Sequence, residues 1–289
     1  MSVEKNKVVF LHTPKTGGGA MEYFFYDQTK LIKRNYFFNF NGLDDSRFFE
    51  DENSTKHSNG NKCLIEGIHN NNVVINRYKN SKHFEQCKFL MGHTTYSIGD
   101  LFPEYNFKYV TVLREPIIRT MSNILQFTYV KDGYVKFGRH TEKCEKGGEK
   151  YWKFIYDIMS NEYPVKGLMT HENHYLRNCQ TRIMQGAKYD NIDEVADIDT
   201  AIKNSKKIKY SFFDDFNNGL QKSFDELGIE IDMSLNHVAK NGTPDSQKNK
   251  QKKLGEYYGA NDNMIELITK FNKIDIELYN TLYKEYYKK

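Results

Sequence analysis

The sequence predicts an α/β protein with a phosphate-loop-like parallel β-sheet that is flanked by helices on both faces. Two observations support this class: short apolar runs rich in β-branched and aromatic residues recur along the 289 residues, and each is followed by a segment with helical apolar spacing. Strands that alternate with helices favour parallel pairing. In such sheets ligands bind beyond the carboxyl ends of the strands.

Four apolar runs are predicted to be strands. The first is KVVFLH at residues 7–12, which ends at a turn that contains proline and glycines. The others cover residues 87–93, 107–115 and 208–213. The YVTVL centre of the third run is typical of a strand that is covered on both faces, so the sheet is expected to be buried between layers of helix.

Helices are predicted after these strands. AMEYFFYDQ follows the glycines, Pro116 occupies a favourable first-turn position before a run with helical apolar spacing, and a later helix ends at Gly228. The last helix is predicted as one element over about 262–286, with an apolar stripe that is more typical of core packing than of a partner site.

Residues 1–289 are predicted to form one domain with loop insertions near 50–62, 131–150 and 239–253. Lysine plus arginine exceed aspartate plus glutamate by 42 minus 38, or +4, and the basic residues form no block and no basic-aromatic stripe. Nucleic-acid binding is therefore not expected. No apolar run reaches the roughly eighteen residues that a membrane span needs.

The four cysteines form neither a CxxC pair nor a Cys/His cluster with the spacing of a zinc site. No metal site is predicted for this reason. The thiols are typical of a reducing compartment, and a disulfide between Cys63 and Cys87 is the open alternative.

The glycine-rich stretch HTPKTGGGA lies between the first strand and a helix start. This arrangement gathers backbone N–H groups and the positive end of a helix dipole around one point, which favours an anion such as phosphate. The usual nucleotide-triphosphate loop is GxxxxGK[ST], in which the lysine follows the glycines and a hydroxyl holds magnesium. Here Lys15 precedes the glycines, and Gly19 and Ala20 offer no hydroxyl. The pattern disfavours an ordinary ATPase or GTPase.

A second polar segment, VTVLREPIIRTMSNI, follows the third predicted strand. Arg114 stands at the carboxyl end of that strand, and Ser122 falls two turns into the next helix. Arginine offers a planar fork to a phosphate and serine adds one directional donor, so the two residues suit a second phosphate. An ion pair of Arg114 with Glu115 is the alternative interpretation.

TPKTGGGA and LREPIIRTMSN together resemble the two donor-binding motifs of the sulfotransferases that use 3′-phosphoadenosine 5′-phosphosulfate. The likeness is to the carbohydrate branch, which includes heparan sulfate 2-O-sulfotransferase and bacterial relatives. In that family the first motif holds the 5′-phosphosulfate, and the second, R-[DE]-P with a serine eight residues after the arginine, holds the 3′-phosphate. The donor-binding residues that the resemblance implies here are Lys15, Thr16, Gly17, Gly18, Gly19, Ala20, Arg114 and Ser122.

Further segments are similar to the family, from about residue 7 to about residue 246. NCQTRIMQG resembles a helix common in bacterial members, in which Arg182 either meets the nucleotide or pairs with an acid. SFFDDFNNGLQKSFDELGI resembles a strand and the helix after it. LNHVAKNGTPDS resembles the late loop over the nucleotide, where Lys240 and Thr243 are the matching contact positions.

The resemblance of FLMGHTTY to the family's Gly-His segment implies that His93 is the catalytic base, and Glu66 is the alternative. A neutral histidine can accept the proton of an attacking hydroxyl near physiological pH. Lys15 would stabilise the charge on the departing phosphate. His12 is expected to fix the loop rather than to react. The family's two hydroxyl residues after the glycines are Gly19 and Ala20 here, which removes two side-chain contacts to the 5′-phosphate.

The expected function is sulfuryl transfer from 3′-phosphoadenosine 5′-phosphosulfate to a hydroxyl acceptor, most simply a saccharide, with adenosine 3′,5′-bisphosphate as product and no metal. Acceptor specificity is expected in loops 50–62 and 131–150. The alternatives are a nucleotide-dependent kinase with a variant loop and a non-catalytic protein that binds a nucleotide or glycan. A monomer, or a homodimer packed through the long final helix, is expected. A cytoplasmic location is expected, because metazoan members usually carry an N-terminal anchor that is not seen here and because the donor is made in the cytosol.

Overall fold

The computed structural model describes residues 5–17, 21, 37–39, 88–92, 94–137, 140–162, 176–186, 195–232 and 260–288. Several residues named above lie outside these ranges: Gly18, Gly19, Ala20, Cys63, Glu66, Cys87, His93, Lys240 and Thr243. Loops 50–62 and 239–253 lie outside them as well. The chain divides into two compact units, the first formed by residues 1–113 and 180–241 and the second by residues 114–179 and 242–289.

The strands follow in chain order: β1 Asn6–Leu11, β2 Phe37–Asn39, β3 Phe89–Gly92, β4 Asn106–Leu113, β5 Tyr129–Lys131, β6 Tyr134–Phe137, β7 His140–Glu142 and β8 Ile208–Phe212. The helices are α1 Ile98–Leu101, α2 Pro116–Phe127, α3 Glu149–Glu162, α4 Cys179–Gln185, α5 Ile198–Ser205, α6 Phe216–Glu226, α7 Asp262–Phe271 and α8 Lys273–Tyr287, with a 3-10 turn at Phe213–Asp215. None of these described helices is long and apolar enough to cross a membrane.

The first unit contains a parallel sheet in the order β2-β3-β1-β4-β8, which confirms the predicted α/β class. The four predicted strands are β1, β3, β4 and β8, and each ends earlier than its apolar run suggested. Within the described residues β4 ends at Leu113 rather than at Glu115, and β1 ends at Leu11 rather than at His12. The three-residue β2 at the edge was not predicted.

Apolar side chains on both faces explain why these segments form central strands. On one face, Val8, Phe10 and Val112 belong to a buried cluster with Phe216 and Leu220 of α6. On the other face, the ring of Tyr109 in β4 lies against Tyr96, with ring centroids 4.7 Å apart. Strands that are covered on both sides read as continuous apolar runs, so the sequence pattern follows from the layering.

The second unit corrects the loop that was predicted over 131–150. The strands β5, β6 and β7 instead form an antiparallel sheet, and α3 begins at Glu149. Asp132 and Gly133 turn between β5 and β6 with φ of 53° and 75°, which are the left-handed values of a two-residue hairpin turn. Val135 and Phe137 of β6 are buried in the core of this unit.

The last predicted helix is two helices, α7 and α8, which meet at Asn272. The Asn272 side chain is fully buried and donates to the carbonyls of Leu176, at 2.9 Å, and Ile268, at 3.0 Å. Its Oδ1 accepts from the Asn178 N–H at 3.0 Å, and the Asn178 Oδ1 accepts from the first N–H groups of α8. These bonds replace the helical ones that a continuous helix would make, which is why the helix breaks here.

Candidate functional site

The strand order places a switch point between β1 and β4. These two strands are neighbours, yet the chain leaves β1 toward β2 on one side of the sheet and leaves β4 toward β8 on the other. A crevice forms at the carboxyl ends of strands where connections diverge in this way. The loop at residues 12–17 begins at the carboxyl end of β1, so the topology puts it at this crevice.

Hydrogen bonds to both neighbouring strands fix the start of the loop. The His12 N–H donates to the Gly92 carbonyl of β3 at 3.0 Å, and the Thr111 hydroxyl of β4 donates to the Leu11 carbonyl at 2.8 Å. The His12 ring stacks on the Phe10 ring, with ring centroids 6.0 Å apart. The loop therefore leaves the sheet from a defined position.

The loop closes on its own Thr13 carbonyl. That oxygen accepts the Thr16 N–H at 3.3 Å and the Thr16 hydroxyl at 2.7 Å. Lys15 has φ of 72° and Gly17 has φ of 92°, whereas φ of Thr16 between them is negative. Alternation in the sign of φ is the backbone pattern of an anion-binding nest. The half-buried Lys15 adopts a conformation that costs about 1–3 kcal/mol in a residue with a Cβ, and such strain clusters at functional sites.

Gly17 connects the loop to a helical turn and to α6. Its carbonyl accepts the Met21 N–H at 3.1 Å, a bond with helical spacing. A Cβ on Gly17 would lie 2.6 Å from Cε2 of Phe216 and 3.4 Å from Cε2 of Phe213. Only glycine allows both this φ and this approach of the backbone to the two rings.

Three hydroxyls in the first unit are buried and have no hydrogen-bond partner among the described residues: those of Thr13, Thr94 and Ser211. Thr13 follows β1, Thr94 follows β3, and Ser211 lies inside β8. A buried hydroxyl without a partner costs about 1–3 kcal/mol, so each such group needs an explanation.

The segment after β3 is held by α4 and the turn that follows it. The Tyr96 N–H donates to the Ile183 carbonyl at 2.9 Å, and the Thr95 and Ser97 hydroxyls lie 2.8 Å apart. Gly186 has φ of 85°, and a Cβ there would lie 3.2 Å from the Ser97 nitrogen. Arg182 is half-buried in α4, one residue before Ile183. Through Ile183, this helix supports the segment after β3 that contains Thr94.

The predicted second phosphate site is part of the second unit. Glu115 caps α2: its carboxylate accepts the N–H groups of Ile117, at 3.2 Å, and Ile118, at 2.7 Å, and Pro116 fills the first helical position. The capping carboxylate therefore uses the amides that a ligand would otherwise meet at this helix start. Burial raises the pKa of Glu115, although these amide bonds and the charges of Arg114 and Arg119 oppose the shift.

Arg119 is a residue that sequence analysis did not single out. It is fully buried in α2, donates from Nη2 to the Thr120 hydroxyl at 2.9 Å, and lies one helical turn before Ser122 on the same side of the helix. Arg114 and Ser122 are both half-buried. The second unit therefore has Arg114 just before the N-cap of α2, Arg119 in its first half and Ser122 at its middle.

No protein-family model matches this chain, and a search of curated proteins found no match either. The described residues contain no group of three or more His, Cys, Asp or Glu side chains that could hold a metal ion. Sequence analysis missed two features of these sites. The cap could have been predicted, because Glu115 before Pro116 is a capping pattern. The unpartnered hydroxyls could not, because nothing in the sequence marks Thr13 and Thr94 as lacking partners.

Proposed function

We propose that this protein is a sulfotransferase that moves a sulfuryl group from 3′-phosphoadenosine 5′-phosphosulfate to a hydroxyl acceptor, most simply on a carbohydrate. The observation that carries the proposal is the loop after β1, which leaves a central parallel strand at the switch point and alternates in the sign of φ. Such a loop suits a phosphate or sulfate group. The sequence resemblance of this loop and of the Arg114 segment to the two donor motifs narrows the ligand to this donor.

In this proposal, residues 15–20 hold the 5′ end of the donor, and Arg114 with Ser122 holds its 3′-phosphate. The capped start of α2 supports a side-chain mode for the 3′-phosphate, because Glu115 already occupies the helix amides. Lys240 and Thr243 contact the nucleotide. The alternating signs of φ at residues 15–17 support an anion site in this loop. In the proposal, Arg114 offers its guanidinium to the 3′-phosphate.

The donor, when bound, supplies the sulfuryl group, which leaves its phosphate oxygen for the acceptor oxygen. His93 accepts the proton of the acceptor hydroxyl, with Glu66 as the alternative base. Lys15 stabilises the negative charge that develops on the departing phosphate. No residue in this scheme forms a covalent bond to the sulfuryl group, so the protein contributes position and charge. The proposal includes a cytoplasmic location and a monomer or homodimer.

Thermal unfolding with three ligands tests the proposal. The protein is heated alone and with adenosine 3′,5′-bisphosphate, 5′-AMP, or ATP with magnesium. A ligand at about one hundred times its dissociation constant adds about 2.7 kcal/mol of stability. The bisphosphate should stabilise the protein most, and labelled donor should then release bisphosphate when saccharides are supplied.

The same experiment separates the alternatives. Stabilisation by ATP with magnesium alone would overturn the sulfotransferase and indicate a kinase. Stabilisation by the bisphosphate without turnover of donor on any saccharide or small hydroxyl compound would indicate a non-catalytic binding protein. Gly19 and Ala20 are the sequence feature in favour of that last outcome.

A further inference from the structure

Thr13 and Thr94 follow the carboxyl ends of two neighbouring strands, β1 and β3, of the first unit's sheet. β1 and β3 pair in register up to Leu11 and Gly92, and each threonine is two residues further along its chain. The His12 N–H and the Thr94 N–H both donate to the Gly92 carbonyl, at 3.0 and 2.8 Å. Both segments are therefore bonded to one oxygen at the end of β3, which keeps the backbone of Thr94 close to that of His12.

Both side chains are fully buried, and neither hydroxyl has a hydrogen-bond partner among the described residues. Nearby hydroxyls behave differently. Those of Thr16 and Thr111 donate to backbone carbonyls of Thr13 and Leu11, and that of Thr95 bonds with Ser97. Near the start of the loop, the described hydroxyls of Thr13 and Thr94 thus lack the partners that the hydroxyls of Thr16, Thr95 and Thr111 have.

Ser211 carries the third unpartnered hydroxyl, and its surroundings differ from those of Thr13 and Thr94. It lies within β8 in register with Val112, so its side chain is on the sheet face that carries the apolar cluster. Residues paired in a parallel sheet share a face. Ser211 is thus a buried hydroxyl inside the core, on a strand that does not pair with β1.

We infer that the hydroxyls of Thr13 and Thr94 donate hydrogen bonds to one tetrahedral oxyanion, a phosphate or sulfate group held by the loop after β1. The inference rests on the proposed function, because it names two further contacts to the donor's 5′ end. Each hydroxyl rotates freely and carries one hydrogen, so two threonines can serve two oxygens of one group. They supply the hydroxyl contacts that Gly19 and Ala20 cannot make.

Thr13→Val and Thr94→Val test the inference because valine keeps the shape and removes only the hydroxyl. In the absence of ligand, the midpoint of thermal unfolding should rise by about 2 °C, since an unpartnered buried hydroxyl is removed. The affinity for adenosine 3′,5′-bisphosphate should fall about tenfold for each variant, as expected for a lost hydrogen bond to a charged group. A residue with a purely structural role would not produce these opposite changes.

Two matched controls use the same unit. Ser211→Ala should also raise the unfolding midpoint and leave the affinity unchanged. Thr16→Val should lower the midpoint, because its hydroxyl is bonded to the Thr13 carbonyl. Binding of inorganic sulfate and of the bisphosphate is measured for every variant by titration calorimetry.

The binding measurements separate a failure of the inference from a failure of the proposed function. If wild type and both valine variants bind the bisphosphate equally, the inference is wrong and the proposed function stands. If wild type binds sulfate but not the bisphosphate, and the valine variants lose sulfate binding, the hydroxyl site stands and the proposed function is wrong. A fall in the midpoint of both valine variants without ligand would show that the hydroxyls have partners and would overturn the inference.

Discussion

The carboxyl ends of β1 and β4 lead into two segments that differ in whether their polar groups have hydrogen-bond partners. The hydroxyls of Thr13, after β1, and of Thr94, after the neighbouring β3, are buried without partners among the described residues. The backbone at Lys15 and Gly17 is in left-handed conformations. After β4, the Glu115 carboxylate already binds the first amides of α2.

Under the proposed function, this difference predicts two modes of anion binding. A segment whose polar groups are unsatisfied and whose backbone is strained gains stability when an anion binds, because the ligand supplies the missing acceptors. A segment that is satisfied internally is stable alone and can offer only its side-chain cations. We therefore expect changes in the β1 loop to act on binding and stability together, and changes at Arg114 to act on binding.

The largest effect is expected for Gly17→Ala. The new Cβ would lie 2.6 Å from the Phe216 ring, and φ of 92° is unfavourable for alanine. We expect a loss of about 3–5 kcal/mol in the free energy of unfolding, measured with urea, because strain and overpacking add.

Gly228→Ala is the matched control in the same unit. Its φ is 64°, but nothing lies within 4 Å of the added Cβ, so a cost of only about 1 kcal/mol is expected from the backbone. Equal costs for the two variants would show that the close approach of Phe216 does not constrain the loop.

The next effect concerns a buried polar group that is fully paired. Asn272→Ala removes the bonds to the Leu176 and Ile268 carbonyls and strands the Asn178 N–H, so unfolding should become easier by about 2–3 kcal/mol. Asn218→Ala removes one exposed bond to Asp215 and should change stability by less than about 0.5 kcal/mol. A small effect at Asn272 would contradict the explanation of the break between α7 and α8.

Loss of the cap at α2 should have a moderate effect. Glu115→Ala removes the acceptor for two amides in a half-buried position, and we expect a loss of about 1–2 kcal/mol in chemical denaturation. Asp197→Ala, at the more exposed cap of α5, is the control and should cost less than Glu115→Ala. If bisphosphate affinity rose in Glu115→Ala, the amides of α2 rather than the Arg114 side chain would hold the 3′-phosphate.

The smallest effect is a pH dependence. The pKa of Glu115 is raised above its ordinary 4.5 by burial, so the fold favours the protonated carboxyl, and this contribution to stability is lost as the pH rises through the raised pKa. The difference in unfolding free energy between wild type and Glu115→Gln should therefore shift against wild type as the pH increases from about 4 to about 7. A shift in the opposite direction would show that the amide bonds and arginines outweigh burial.

Much of the fold could be predicted because each central strand is covered on both faces. β1, β4 and α2 stand out as apolar runs or as a proline-initiated helix with clear spacing. The β5-β6-β7 sheet was missed because its strands have only three or four residues, although Asp132-Gly133 is a known hairpin signal. The break at Asn272 was missed because apolar spacing continues through it, and its cause is a tertiary bond to Asn178.

The candidate site could be predicted only in its backbone part. Glycines after a strand predict where a phosphate loop would begin. The conformations of Lys15 and Gly17 agree with that prediction. The states of Thr13 and Thr94 depend on what surrounds their hydroxyls after folding, and single residues in a sequence carry no such information.

The most direct test of the account compares two dissociation constants measured by calorimetry, those for 5′-AMP and for adenosine 3′,5′-bisphosphate, in wild type and Arg114→Ala. The account predicts that wild type binds the bisphosphate at least about tenfold more tightly, because a charge-assisted pair to the 3′-phosphate is worth about 1.5–3 kcal/mol. It also predicts that this preference disappears in Arg114→Ala and persists in Thr13→Val. A wild-type preference near one, or a preference that survives the loss of Arg114, would contradict the claim that Arg114 holds the 3′-phosphate while the β1 loop holds the other end of the donor.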